Sequence, residues 1–124
     1  MIYKYNISIG AFVLLLAVAA GAFGSHGLQP YLTERLADVW DTAVLYHLIH
    51  GLGLLLIVTL DQQRPSRLFS LAWLIMLAGV ILFSGSLYLL VLTELRVFGP
   101  VTPIGGIALM LSWLLVSWAG LRKH

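Results

Sequence analysis

Four long apolar blocks, separated by short polar segments, dominate the pattern of the sequence. Polar and apolar residues do not alternate within these blocks, so the pattern excludes strands and predicts α-helices. Each block approaches the roughly 20 residues that a helix needs to cross a bilayer. The pattern therefore predicts an all-α integral membrane protein, an antiparallel four-helix bundle that forms one domain over residues 1–124. The predicted spans are about residues 7–23, 43–60, 68–92 and 104–121.

The longest connection, residues 28–41, has the pattern of an amphipathic helix. Apolar side chains recur on one side, and polar side chains occupy the other. The apolar side holds Leu32, Leu36, Val39 and Trp40, and the polar side holds Thr33, Glu34, Arg35, Asp38 and Asp41. This pattern predicts a short interfacial helix between spans 1 and 2, with Trp40 at the level of the lipid headgroups.

The first apolar block has a second interpretation. Lys4, the apolar run and the small residues 19–22 also resemble a secretory signal peptide. The run is long for that role and lacks a polar region before a cleavage site. Cleavage would also leave three spans, with their ends on opposite sides of the membrane. A membrane span is therefore the favoured interpretation.

Composition agrees with a lipid environment. The chain is 60% apolar and 10% charged, with a mean hydropathy of +0.99. A soluble domain of this size could not cover so much apolar surface. The seven Lys and Arg residues are scattered, so nucleic-acid binding is not expected. The absence of Cys excludes disulfides, thiolate metal sites and cysteine redox chemistry.

Lys and Arg residues are unequally divided between the two sides of the predicted bundle. One side carries Lys4, Arg64, Arg67, Arg122 and Lys123, and the other carries Arg35 and Arg96. Cytoplasmic loops of membrane proteins are enriched in Lys and Arg. The division of five against two therefore predicts that both termini are cytoplasmic.

Small residues recur every seven positions in three of the four spans. Lipid supplies no hydrophobic drive between helices, so close packing at small residues is expected to hold them together. A seven-residue repeat also predicts a left-handed crossing. Gly and Ala are common in membrane helices, so we expect true packing seams in at least two of the three spans. The repeats are Gly10, Ala17 and Gly24; Ala72, Gly79, Ser86 and Thr93; and Gly105, Ser112 and Ala119.

Polar side chains of the predicted spans gather toward one end of the bundle. In the second span the leucines (Leu45, Leu48, Leu52, Leu55) occupy one face and the histidines the other, so the histidines should point inward. The antiparallel third span brings serines and a tyrosine to the same depth. Polar groups inside a membrane are costly and are therefore functional candidates. The candidate polar cluster is His26, Asp41, Tyr46, His47, His50, Ser84, Ser86, Tyr88 and Glu94.

His47 and His50, three residues apart, are neighbours on one helix face. Such a pair could bind a metal or haem, with His26 and Asp41 or Glu94 completing the ligand shell. The expected role of the two histidines is instead to form hydrogen bonds between helices, so no cofactor is expected. A quinone, lipid or proton-linked role of the histidines stays open. The sequence has no phosphate loop, catalytic triad or paired carboxylates within the spans. We therefore expect no enzymatic activity.

Two glycine-containing segments leave alternatives open. Residues 21–27 could form an opened helix end whose free backbone groups bind a ligand, or a plain helix stop, which we favour. Residues 84–86 could line a pocket or permit close packing of two helices.

Four motifs occur in a characteristic order: Gly21–Leu28 (GAFGSHGL), Trp40 with the Tyr46–His50 segment, Leu82–Tyr88 (LFSGSLY) and Thr102–Gly106 (TPIGG). In these motifs, and over nearly its whole length, the chain resembles domain-of-unknown-function family 423. These are small bacterial inner-membrane proteins related to eukaryotic transmembrane protein 256. Family members usually have GAFGAHGL where this chain has Ser25, a minor departure. The resemblance implies four spans and a bacterial inner-membrane location, but no activity, because the family has no established catalytic or binding residues.

These observations favour a small integral inner-membrane protein with a structural or accessory role. Its expected partners are membrane lipid and, because four thin spans have little interior, a second copy of the chain or another membrane protein. One alternative is a redox module that binds a metal, haem or quinone through its histidines. The other is a small oligomeric transporter, which the uneven charge and the lack of a mid-membrane carboxylate disfavour.

Overall fold

The computed structural model describes residues 3–122, and helices make up nearly all of them. The four long helices are α1 (Tyr3–Phe23), α2 (Glu34–Gln63), α3 (Arg67–Thr93) and α4 (Val101–Leu121). All four are long and apolar enough to cross a membrane. No strand occurs among residues 3–122. The prediction of an all-α protein with four membrane-spanning helices is confirmed.

The segment between α1 and α2 differs from the prediction. The chain continues from α1 through a π-helical turn, Gly24–Leu28, and a short 3-10 helix, Gln29–Tyr31, instead of stopping at its glycines. The helix expected over residues 28–41 is not a separate surface helix, because α2 already begins at Glu34. Residues 34–41 are thus the charged first turns of α2.

The early start of α2 has a simple cause in the sequence. Thr33 caps the helix, since its Oγ1 accepts a hydrogen bond from the Leu36 N–H at 3.2 Å. No Gly or Pro lies between Thr33 and Gly51, so no helix-breaking residue interrupts this stretch. The 30 residues of α2 extend about 45 Å, which exceeds the roughly 30 Å hydrocarbon core. Its charged first turns can therefore lie outside that core.

A buried carboxylate holds the turn between α2 and α3. Asp61, only 2% exposed, accepts a hydrogen bond from the Ser66 backbone N–H at 2.8 Å. Ser66 in turn caps α3, because its Oγ accepts from the Leu68 N–H at 3.2 Å. The side chain of Tyr3 lies next to the same carboxylate. Asp61 therefore ties the start of α1 to the α2–α3 turn.

Small residues form the contact between α3 and α4. Ser112 donates from its Oγ to the Ala72 carbonyl oxygen at 2.6 Å, and Gly105 lies directly against the backbone of Phe83. Of the predicted repeats, Thr93 is exposed and Gly24 is half-buried. The other members are buried: Gly10, Ala17, Ala72, Gly79, Ser86, Gly105, Ser112 and Ala119.

α2 is the central helix of the molecule. α1 packs along α2, with Gly10 against Leu55. The prediction that Leu55 faces lipid is therefore wrong, whereas Leu45 and Leu52 are exposed. α3 packs on another face of α2, and α4 packs on α3 and reaches α2 through Trp113. The apolar core lies toward the α2–α3 turn, and it includes Leu54, Ile57, Val58, Phe69, Trp73 and Met76.

Candidate functional site

His50 is buried where α2 meets α4, and both of its ring nitrogens are hydrogen-bonded. Nδ1 lies 2.8 Å from the Tyr46 carbonyl oxygen, and Nε2 lies 3.0 Å from Trp113 Nε1. A carbonyl oxygen can only accept, and an indole N–H can only donate. The ring therefore carries its proton on Nδ1 and accepts at Nε2. Both nitrogens are committed to helix contacts.

His47 connects α2 to α3 through Tyr88. Its Nδ1 lies 2.9 Å from the Tyr88 hydroxyl oxygen, and the tautomer decides which atom donates. The backbone of Val13 in α1 lies next to the same imidazole. Trp40 contacts both Tyr88 and α1. Its ring centroid is 4.7 Å from that of Tyr88, and its Nε1 donates to the Ala20 carbonyl oxygen at 2.9 Å. Imidazole and aromatic side chains thus join α1, α2 and α3.

Two buried serines link α3 to its neighbours. Ser84 donates from its Oγ to the Ala43 carbonyl oxygen of α2 at 2.8 Å. Ser86 Oγ lies 2.6 Å from Thr102 Oγ1 of α4 and 2.9 Å from the Phe83 carbonyl oxygen of its own helix. Hydrogen bonds between membrane helices of this kind stabilise their association. Both serines therefore serve the packing of α3.

Three members of the predicted cluster lie apart from these bonds. His26 is exposed on the π-helical turn, Asp41 on the first turns of α2, and Glu94 at the end of α3, where its φ of 55° closes the helix. Tyr46 is 39% exposed, and its ring stacks on His50 at 5.8 Å between centroids. Within residues 3–122, no three His, Asp or Glu side chains come close enough to hold one metal ion. His26, Asp41 and Glu94 therefore do not join the hydrogen bonds that His47, His50 and Ser84 form.

The glycine-rich segment 21–27 serves close packing. Gly24 lies directly against the indole of Trp40, so a Cβ atom there would collide with the ring. The absence of a side chain at this position lets Trp40 reach the Ala20 carbonyl oxygen of α1. The π-turn also borders a small polar pocket of about 100 Å³, with Ser25 and Asp41 in its wall.

A groove separates α1 from α3 on the face of α2 that carries His47. Its volume is about 380 Å³, within the range of ligand pockets. None of the described residues that line it is charged, and Ser84 in its wall already donates to α2. The polar group that the groove offers is therefore the His47–Tyr88 pair. The remaining lining residues are Val13, Leu16, Ala20, Val80, Ile81 and Gly85.

The roles of three residues were not apparent from the sequence. Trp113 supplies the donor for His50 from a position 63 residues away. Trp40, expected among lipid headgroups, is only 5% exposed and packs between helices. Asp61 is buried at the α2–α3 turn. A signal existed for Asp61 alone, because a carboxylate at the end of a helix before a short turn commonly binds backbone N–H groups.

Similarity to known proteins identifies the family of this chain. A family model described as "Protein of unknown function (DUF423)" matches residues 20–106, more than half of the chain. This chain belongs to the DUF423 family. The sequence-based expectation of that family is confirmed, and the matched residues include the His47–Tyr88 pair, Ser84 and Ser86.

Curated relatives of this DUF423 chain extend the match to nearly its full length. The UPF0382 membrane protein YwdK of Bacillus subtilis (strain 168) is 41% identical over 121 residues, which are 96% of this chain and 98% of that protein. The UPF0382 membrane protein SAB0533 of Staphylococcus aureus is 42% identical over 113 residues, 91% of this chain and 92% of that protein. No solved structure matches the chain. The four spans and these relatives identify a membrane protein.

Proposed function

We propose that this DUF423 protein is a non-enzymatic structural or accessory component of the bacterial inner membrane. The observation that carries the proposal is how the buried polar side chains are used. His50, Ser84 and Ser112 each form a hydrogen bond with a neighbouring helix. A catalytic group needs a free donor, acceptor or nucleophile within reach of substrate. Polar groups paired across helices instead stabilise one arrangement of four spans, on which lipid or another membrane protein can assemble.

Replacing His47 and His50 together with Ala separates this role from metal or haem binding. We expect a loss of stability of about 0.6–2 kcal/mol for each cross-helix bond, and no stoichiometric metal or haem in wild type or variant. Thermal unfolding in mild detergent measures the stability, and visible absorption with metal analysis measures bound groups. His26→Ala, at an exposed position, is the control and should match wild type. The proposal would be contradicted if wild type held a stoichiometric metal or haem and the double variant lost it while remaining folded.

We propose a topology with both termini in the cytoplasm, which the five-to-two division of Lys and Arg supports. The chain has no Cys, so single cysteines report accessibility without background. Gln63 at the end of α2 and Val97 in the α3–α4 connection are both exposed. In intact cells, a membrane-impermeant maleimide should label Val97→Cys and should label Gln63→Cys only after permeabilisation. The reverse pattern would overturn this topology.

We also propose that the protein forms a homo-oligomer or binds another membrane protein. The support is that most of α1 is not covered by the other helices: its buried residues are Gly10, Val13 and Ala17. Crosslinking in native membranes and the mass of the protein in mild detergent test the proposal. A monomer mass together with an absence of crosslinks would count against it.

A further inference from the structure

The groove between α1 and α3 has the chemistry of a site for uncharged molecules that dissolve in lipid. Among residues 3–122, no Lys or Arg lines it, so a phosphate or carboxylate there would lose water without gaining a cation. Its rims carry Leu16 and Ile81, which are 47% and 62% exposed. In a bilayer these side chains face acyl chains. A molecule can therefore enter the groove sideways from the lipid.

Gly85 leaves the groove open instead of serving a helix contact. Apart from its chain neighbours and the backbone of its own helix, a Cβ atom on Gly85 meets no atom of residues 3–122 within 4 Å. On Gly79 and Gly105, which lie in the α3–α4 contact, the same atom would collide with the facing helix. In the Ser84–Ser86 segment, the two serines therefore pack against neighbouring helices, whereas Gly85 lines the groove.

The His47–Tyr88 pair can present either a donor or an acceptor to a ligand. When Nδ1 carries the imidazole proton, it donates to the phenol oxygen, and the phenol proton is free for a ligand. When Nε2 carries the proton, the phenol donates to Nδ1 and its oxygen can accept from a ligand. A change of tautomer therefore exchanges the two roles without any change in net charge.

We propose that this groove binds the head of a quinone or of its quinol, with one head oxygen on Tyr88 and the tail in the surrounding lipid. A quinone carbonyl needs a donor and a quinol hydroxyl needs an acceptor, and the pair supplies each in turn. Glycerolipids carry several ester or phosphate oxygens that need polar partners at the same time, and the groove offers one pair. The site goes beyond the scaffold role, because the His50–Trp113 and Ser112–Ala72 bonds lie outside it.

Quinone binding can be measured through the protein's own fluorescence. The ring of Trp40 lies 4.7 Å from that of Tyr88, centroid to centroid. A decyl-tailed benzoquinone should therefore quench tryptophan emission saturably in phosphatidylcholine nanodiscs. Gly85→Leu fills the groove and should weaken binding about 10-fold or more. The matched control is Gly120→Leu, in which the added side chain also extends into open space. Gly120 lies at the end of α4, away from the groove, so this variant should bind the quinone like wild type.

Tyr88→Phe keeps the ring and removes the hydroxyl. It should weaken binding about 2- to 10-fold, as expected for one hydrogen bond, while cooperative thermal unfolding persists. Equal affinity of wild type and Gly85→Leu, or a quench that never saturates, would overturn the proposal. Displacement of the quinone by diacylglycerol or phosphatidylglycerol at similar concentrations would also overturn it. A negative result leaves the scaffold role standing, because that role rests on the bonds of His50, Ser84 and Ser112 to neighbouring helices, which neither Gly85→Leu nor Tyr88→Phe removes.

Discussion

Gly105 lies where α4 passes closest to the backbone of α3, and Gly105→Ala tests whether this approach holds the two helices together. The added Cβ would lie 2.7 Å from Phe83 Cα and 2.8 Å from the Leu82 carbonyl carbon, where ordinary contacts are 3.4–4 Å. Backbone atoms cannot rotate away as a side chain can. The helices would therefore have to separate by about 1 Å, a gap that forfeits up to half of the dispersion energy at each contact.

The expected net effect is a loss of stability. Alanine favours the helical conformation over glycine by about 1 kcal/mol, whereas overpacking at a rigid contact costs about 1–3 kcal/mol and occasionally more. Separation would also stretch the Ser112–Ala72 and Ser86–Thr102 hydrogen bonds, both 2.6 Å long. Because these bonds add to the cost, we expect Gly105→Ala to lose about 1–3 kcal/mol.

Gly106→Ala is the matched control for this measurement. A Cβ atom at Gly106 lies 3.6 Å from its nearest neighbour, Phe83 Cδ2, which is an ordinary contact. This variant should be as stable as wild type or up to about 1 kcal/mol more stable. Reversible unfolding of both variants in mixed detergent micelles measures the difference. Equal stability of Gly105→Ala and Gly106→Ala would refute the close-contact reasoning.

Substitutions at four further residues test three individual hydrogen bonds by the same unfolding assay. His50→Phe and Trp113→Phe should each destabilise the protein, and their double-mutant cycle should give a coupling of about 0.6–2 kcal/mol; a coupling near zero would contradict the bond. Asp61→Asn keeps an oxygen for the Ser66 N–H and should cost less than Asp61→Ala, which should lose about 1–3 kcal/mol; equal losses would contradict the capping role. Trp40→Phe removes the bond to α1 and should cost about 0.5–1.5 kcal/mol, and an unchanged stability would count against that bond.

Hydropathy located the four spans because a bilayer requires about 20 apolar residues at each crossing. α3 (Arg67–Thr93) differs from the predicted span 68–92 by one residue at each end. Helix α2 begins at Glu34, nine residues before the predicted span of about 43–60. Hydropathy detects where the chain enters lipid, whereas a helix continues until its backbone hydrogen bonds end.

The spacing of small residues also carried information about packing. Gly105 and Ser112 occupy the α3–α4 contact, and Gly10 occupies the α1–α2 contact. Their period follows from helix geometry, which is local and therefore readable from the sequence. Without a hydrophobic drive between helices in lipid, the small residues indicate the faces that come together.

Only the tertiary structure decided which polar groups meet. Ser84 pairs with Ala43, and Trp113 with His50, across 41 and 63 residues of sequence. Each pairing depends on the rotation and axial shift of a whole helix, which many weak contacts set together. A change of one turn in either helix would give different partners with the same hydropathy pattern. The groove beside His47 likewise exists because α1 packs on α2 and stays apart from α3, and no local pattern in the sequence specifies that separation.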